Sequence, residues 1–96
     1  MVVRIIKFNI YMEGNRSLKE KKHQIKSLID KIKSRFPSIA IAEVDSLDKW
    51  NKSTIGFSLV SNKVSFAESK LDQIFFNIQQ ISDFYISDIC KDIIHF

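Results

Sequence analysis

Along VVRIIKFNIYM (2–12), Ile6, Phe8, Ile10 and Met12 fall on one face, with Lys7, Asn9 and Tyr11 on the other. Such alternation, in a run rich in β-branched and aromatic residues, predicts a long strand. EGN then makes a turn, and the period changes. Leu18, Ile25, Leu28, Ile29, Ile32 and Phe36 recur at helical spacing. Ser17 followed by Glu20 is a capping box that starts this helix, and Pro37 stops it. SIAIAEVD (38–45) predicts a second strand, with Ala40, Ala42 and Val44 alternating against Ile39, Ile41, Glu43 and Asp45. The polar connection SLDKWNK leads to a third strand, STIGFSLVS (53–61). There Ile55, Phe57 and Leu59 point one way and Thr54, Gly56 and Ser58 the other. A second helix carries Ala67, Leu71, Ile74, Phe75, Ile78 and Ile81 as its stripe, begun either by Asn62 or by a Ser65/Glu68 capping box. FYISDICKDIIHF (84–96) predicts a final strand whose alternation changes register near Asp88, as at a bulge.

The order βαββαβ is the split βαβ arrangement of ferredoxin-like domains: a four-stranded antiparallel sheet with two helices on one face and the other face open. The 96 residues (1–96) make one such domain. If Ala40, Val44, Phe57 and Ile6 face the helices, then Val3, Ile5, Tyr11, Ile39 and Ile41 face outward. A face that apolar is not simply solvated. It lacks the paired aromatics that an RRM domain places on its central strands, because the third strand presents Thr54, Gly56 and Ser58. Self-association as a homodimer suits it better than RNA, and Ile39→Lys or Ile41→Lys is expected to leave a folded monomer.

Hydrophobic residues at 45% and charged residues at 27% suit a folded soluble protein. No apolar run nears the ~20 residues that span a bilayer, and MVVRIIKFNIYMEG lacks the long apolar stretch of a signal peptide. A lone Cys90 excludes an internal disulfide and fits a reducing cytoplasm. The net charge of +4 is unevenly spread. Arg16 to Arg35 holds eight of the fifteen basic residues and two of the eleven acidic ones, a local surplus of six. Such clustering points to an anionic partner. It is odd for the helix itself, since Lys19, Lys21 and Lys22 crowd the end where free N–H groups already carry partial positive charge.

SLKEKKHQIKSLIDKIKSRF, AEVDSLDKW and IGFSLVSN, within residues 17–62, closely resemble the YlxP-like family of small bacterial proteins. The run Ser17-Leu18-Lys19-Glu20-Lys21-Lys22 and the trio Asp45, Asp48 and Trp50 are the most specific parts. The resemblance implies a ferredoxin-like fold, a cytoplasmic bacterial protein of unknown function, and a link to RNA or the ribosome. It implies no catalytic residue. That family usually has a second basic residue where His23 stands here.

On a helical wheel, Lys19, Lys22, Lys26 and Lys33 fall within about 60° of one another beside the apolar stripe, with Arg16 at the preceding turn. Lys21 and Arg35 lie on the other flank. A solvated lysine face is the plain alternative, its stems covering apolar surface. Phosphate binding is preferred because the cations sit at the unfavourable helix end and only Asp30 offsets them on that flank. Trp50, beside Lys49 and Lys52, is either a base-stacking residue or a cover for one end of the sheet. His23, His95 and Cys90 have no ligand spacing, and Glu43, Asp45 and Asp48 are read as surface carboxylates rather than a Mg²⁺ site, so no metal or cofactor is expected. EGNRS invites comparison with the phosphate loop of acylphosphatases, but one glycine and one arginine are a weak signal. The expectation is a non-catalytic RNA-binding protein, with no small-molecule substrate, that uses Arg16, Lys19, Lys22, Lys26, Lys33 and Trp50; the resemblance implies ribosomal RNA or ribosome assembly as its place of action. A homodimeric regulatory or scaffold domain is the alternative.

Overall fold

The computed structural model describes residues 1–81 and 84–96. The elements run β1 (Val2–Tyr11), α1 (Leu18–Arg35), β2 (Ala40–Asp45), β3 (Lys52–Ser61), α2 (Val64–Ile81) and β4 (Tyr85–His95). All strand pairs are antiparallel in the order β2-β3-β1-β4, so β1 and β3 are central. This is the ferredoxin-like fold.

Alternation in the central strands sets the core. Ile6, Phe8, Ile10 and Met12 are buried with Ile55, Phe57 and Leu59, against Ile25, Leu28 and Ile32 of α1 and Ala67, Leu71, Ile74 and Ile78 of α2. Phe8 meets Phe57 and Phe75 edge-on, at ring-centroid distances of 6.2 and 5.0 Å. Each such pair adds about 1 kcal/mol beyond its buried area.

The β1–α1 turn needs Gly14, whose φ of 80° is unfavourable for a side chain. Half of the expected capping box then forms: the Glu20 amide donates to Ser17 Oγ at 3.1 Å, while Glu20 Oε2 accepts from the amide of Arg16, one residue ahead of the cap, at 3.0 Å. Ser17→Ala is expected to cost about 1 kcal/mol in a urea unfolding titration, because it orphans a helix-start donor. At the far end Phe36 caps α1, its amide donating to the Ile32 carbonyl just before Pro37. α2 begins at Val64, ahead of Ser65, so no Ser65/Glu68 box starts it. The Lys63 amide instead donates to Ser61 Oγ at 3.1 Å. The break in β4 is a bulge, as its alternation predicts: pairing with β1 shifts between Lys7 and Asn9, and Asp88 takes a φ of 54°.

One expectation is overturned. Ile39 and Ile41 face the helices, at 7% and 6% exposure, while Ala40, Ala42 and Val44 are exposed on the open face. The reason lies two residues on. Glu43 shares the inward face with Ile41, and it points inward because a buried lysine of α1 meets it there. The open face is still apolar over one half, but Val3, Ile5, Ala40, Ala42, Val44 and Val60 carry it.

Candidate nucleic-acid interface

Helix α1, with seven of the fifteen basic residues, uses its lysines in two ways. Lys21 lies on the same stripe as Ile25, Leu28 and Ile32 and is fully buried. Its ammonium sits 2.7 Å from Glu43 Oε2 and also donates to the Ser46 carbonyl. Ser53 Oγ donates to the same carboxylate oxygen at 2.6 Å. Ser46 holds a left-handed φ of 60°, which aims its carbonyl at the ammonium, and its own amide donates to Asp45 Oδ1 at 2.7 Å. Neither Lys21 nor Glu43 is therefore surface charge, which corrects both sequence readings: the ion pair pins the end of β2 to the second turn of α1. The spacing contained the signal, since Lys21 stands four residues before Ile25 on the buried stripe.

Polar contacts continue from there across the sheet. Ser46 Oγ and Thr54 Oγ1 lie 3.4 Å apart, and Thr54 Oγ1 donates to Asn9 Oδ1 at 2.7 Å. Asn9 Nδ2 donates to Asp88 Oδ2 at 2.8 Å, and Ser87 Oγ donates to that oxygen at 3.1 Å. The open face is thus polar toward the end where α1 begins and apolar toward the other.

The cations on the outer flank of α1, and Arg16 before it, are free of such ties. Arg16, Lys19, Lys22, Lys26 and Lys33 are exposed, and among the described residues Lys21–Glu43 is the one ion pair. Arg35, on the opposite flank, donates to Asn77 Oδ1 of α2. His23, Gln24, Ser27 and Lys31 line a groove against Ile81 and Phe84, so the Lys19–Lys22–Lys26–Lys33 flank turns away from α2. Asp30 shares a neighbouring groove with Lys26 and Lys31. Lys33 lies about 20 Å along the helix from Lys19, which puts it outside a cluster formed by Arg16, Lys19, Lys22 and Lys26.

Trp50 is 53% exposed and does not fold into the core. Its carbonyl accepts from Asn15 Nδ2 at 2.9 Å, and the Met12 amide donates to the Asn51 carbonyl at 2.8 Å. These bonds tie the β2–β3 connection to the turn before α1, so Trp50 and Arg16 share one end of the molecule. Among the described residues no three His, Cys, Asp or Glu side chains are grouped so as to hold a metal, and no helix is long and apolar enough to cross a membrane.

Two de novo designed proteins have similar structures. One, with a ferredoxin fold, is 13% identical at a TM-score of 0.58, covering 97% of this chain and 85% of its own. The other, Foldit4, is 12% identical at 0.53, covering 95% and 94%. At such identities the likeness concerns fold alone. The comparison with curated proteins gives no match. The model of one family, described as a protein of unknown function (DUF503), does match over residues 3–90, and the chain belongs to that family.

Proposed function

We propose that this protein is a non-catalytic RNA-binding factor that grips phosphates with the turn before α1 and the outer flank of that helix. The observation that carries this reading is the line of exposed cations at Arg16, Lys19, Lys22 and Lys26, unpaired among the described residues at a helix N-terminus. A helix start bearing extra cations attracts anions more strongly than either feature alone. Lys21 supports the reading by contrast, since the lysine with an architectural task is buried and the others are left to solvent. The resemblance to YlxP-like proteins directs the proposal to ribosomal RNA in the cytoplasm, where an exposed Cys90 would stay reduced.

The test is one variant with two readouts. Four or five cations on single-stranded phosphates give a slope of log K against log salt of about −3. Changing Lys19, Lys22 and Lys26 together to Gln should flatten it by about two units. Stability to urea should hold or rise, because cations leave the positive end of a helix dipole. Unchanged affinity would reduce the stripe to solvated surface.

A second reading rests on the apolar half of the open face. Ile5, Ala40, Ala42, Val44, Gly56 and Ser58 line a broad trough there. A second copy packed against it would need to bury at least ~1,000 Å² in total. Sedimentation as a monomer at high micromolar concentration would remove this reading.

A further inference from the structure

We propose that the row Lys52–Tyr11–Tyr85, at the polar end of the open face, stacks unpaired bases of single-stranded RNA. The inference rests on the RNA-binding reading above and adds to it a second set of contacts, made to bases instead of phosphates. Tyr11 of β1 stands directly opposite Lys52 of β3 on one side and Tyr85 of β4 on the other. The two rings lie 6.2 Å apart at a tilt of 46°, and Lys52 Nζ sits 5.9 Å from the centre of the Tyr11 ring. Tyr85 is 70% exposed, so the fold gains little from burying its ring, and Tyr11 beside it keeps 36% of its surface in solvent. A π-face accepts any base, and a cation at its side neutralises the phosphate that comes with it.

The surroundings favour stacking over readout of base edges. The next row inward, Thr54, Asn9 and Ser87, has its donors and acceptors engaged with one another and with Asp88 at the bulge. The row's floor therefore offers few free groups to a base edge, and recognition there is sequence-tolerant. A cavity of about 530 Å³ adjoins the rings, lined by Tyr11, Glu13, Phe84 and Tyr85. Glu13 is the one acid lining it among the described residues and repels phosphate, which directs the backbone to the Lys52 side. On that side, Asn51 binds the Met12 amide, and Trp50 and Asn15 are joined at the turn before Arg16. A strand whose bases lie on Tyr85 and Tyr11 thus passes Lys52 and Trp50 and rounds the sheet end to the N-terminus of α1. This departs from the expectation that RNA keeps off the sheet: the aromatic pair exists, but it spans β1 and β4 instead of the two central strands.

Anisotropy titrations with a short unstructured RNA, and with the duplex of the same sequence, test the proposal. Tyr85→Ala should weaken the single strand about tenfold. It should leave duplex affinity and the salt slope unchanged, and Tyr85→Phe should bind like the parent. Single-strand affinity unaltered in both Tyr85→Ala and Tyr11→Ala, with the triple lysine variant weakened, would overturn stacking and leave the helix reading standing. A loss in Tyr85→Ala alongside full binding by the lysine variant would do the reverse. Absence of binding by the parent protein at low salt would remove both. Tetramethylammonium shifting the Tyr85 ring resonances, with RNA leaving them unmoved, would make the cavity a cage for an organic cation and overturn the proposal.

Discussion

Glu43→Ala is expected to destabilise the protein by about 3–5 kcal/mol in urea unfolding, a large share of what a domain of this size has to lose. The carboxylate is the counter-charge of a fully buried ammonium, 2.7 Å away. Without it Lys21 keeps one acceptor, the Ser46 carbonyl, and its buried charge is uncompensated. Ser53 Oγ would lose its acceptor in the same step. Removing both charges should cost far less than removing one, because apolar residues of similar volume often replace a buried pair without loss. Lys21→Met combined with Glu43→Leu should therefore unfold at higher urea than Glu43→Ala. Such non-additivity is the mark of a direct interaction and separates it from a general intolerance of change in β2. A loss below about 1 kcal/mol for Glu43→Ala would show that the pair does not form in solution.

The same pair explains what could be read from the sequence and what could not. Element types and order follow from a period of two in VVRIIKFNIYM and a period near four from Leu18 to Phe36, because water on one side and core on the other leave no second solution. Strand ends differ by one or two residues where polar positions such as Ser38 belong equally to strand or turn. The facing of β2 is a different kind of error. In IAIAEVD both faces hold apolar residues, and the rule that charges point outward selects the face without Glu43. That rule fails only where a buried partner exists. The partner, read by charge alone, is one more flanking cation of α1, so the two charge-based placements support each other. The spacing of Lys21 with Ile25, Leu28 and Ile32 places it on the buried stripe, where Glu43 is the acid that meets it.

The crowding of lysines at the start of α1 accordingly has two origins. Lys21 is there for architecture, reaching beneath the helix to close the end of β2. Lys19 and Lys22 have no such task among the described residues, and Glu20 is the one acid in the first turn to offset their unfavourable dipole position. The candidate site was thus legible as charge and spacing. Its aromatic part was not, because Tyr11 and Tyr85 are seventy-four residues apart and meet only through the β1–β4 register.

That register logic also yields a paired prediction on β2. Ile41→Lys should cost at least about 3 kcal/mol, since it removes a buried side chain and asks an ammonium to take its place opposite Phe57. Ala42→Lys, one residue on, should change stability by no more than about 0.5 kcal/mol, because Ala42 stands on the open face opposite Gly56. The two variants carry the same charge on the same edge strand, so their difference reports facing and nothing else. Equal losses would mean that β2 is not held in this register. Ala42→Lys has a second use. Two sheets pack about 10 Å apart, and a lysine rising from the trough beside Ile5 and Val44 would hold a second copy off. If two copies pair through this face, Ala42→Lys should sediment as a folded monomer at concentrations where the parent is a dimer. Ile41→Lys could not give that answer, because loss of folding would be confused with loss of pairing.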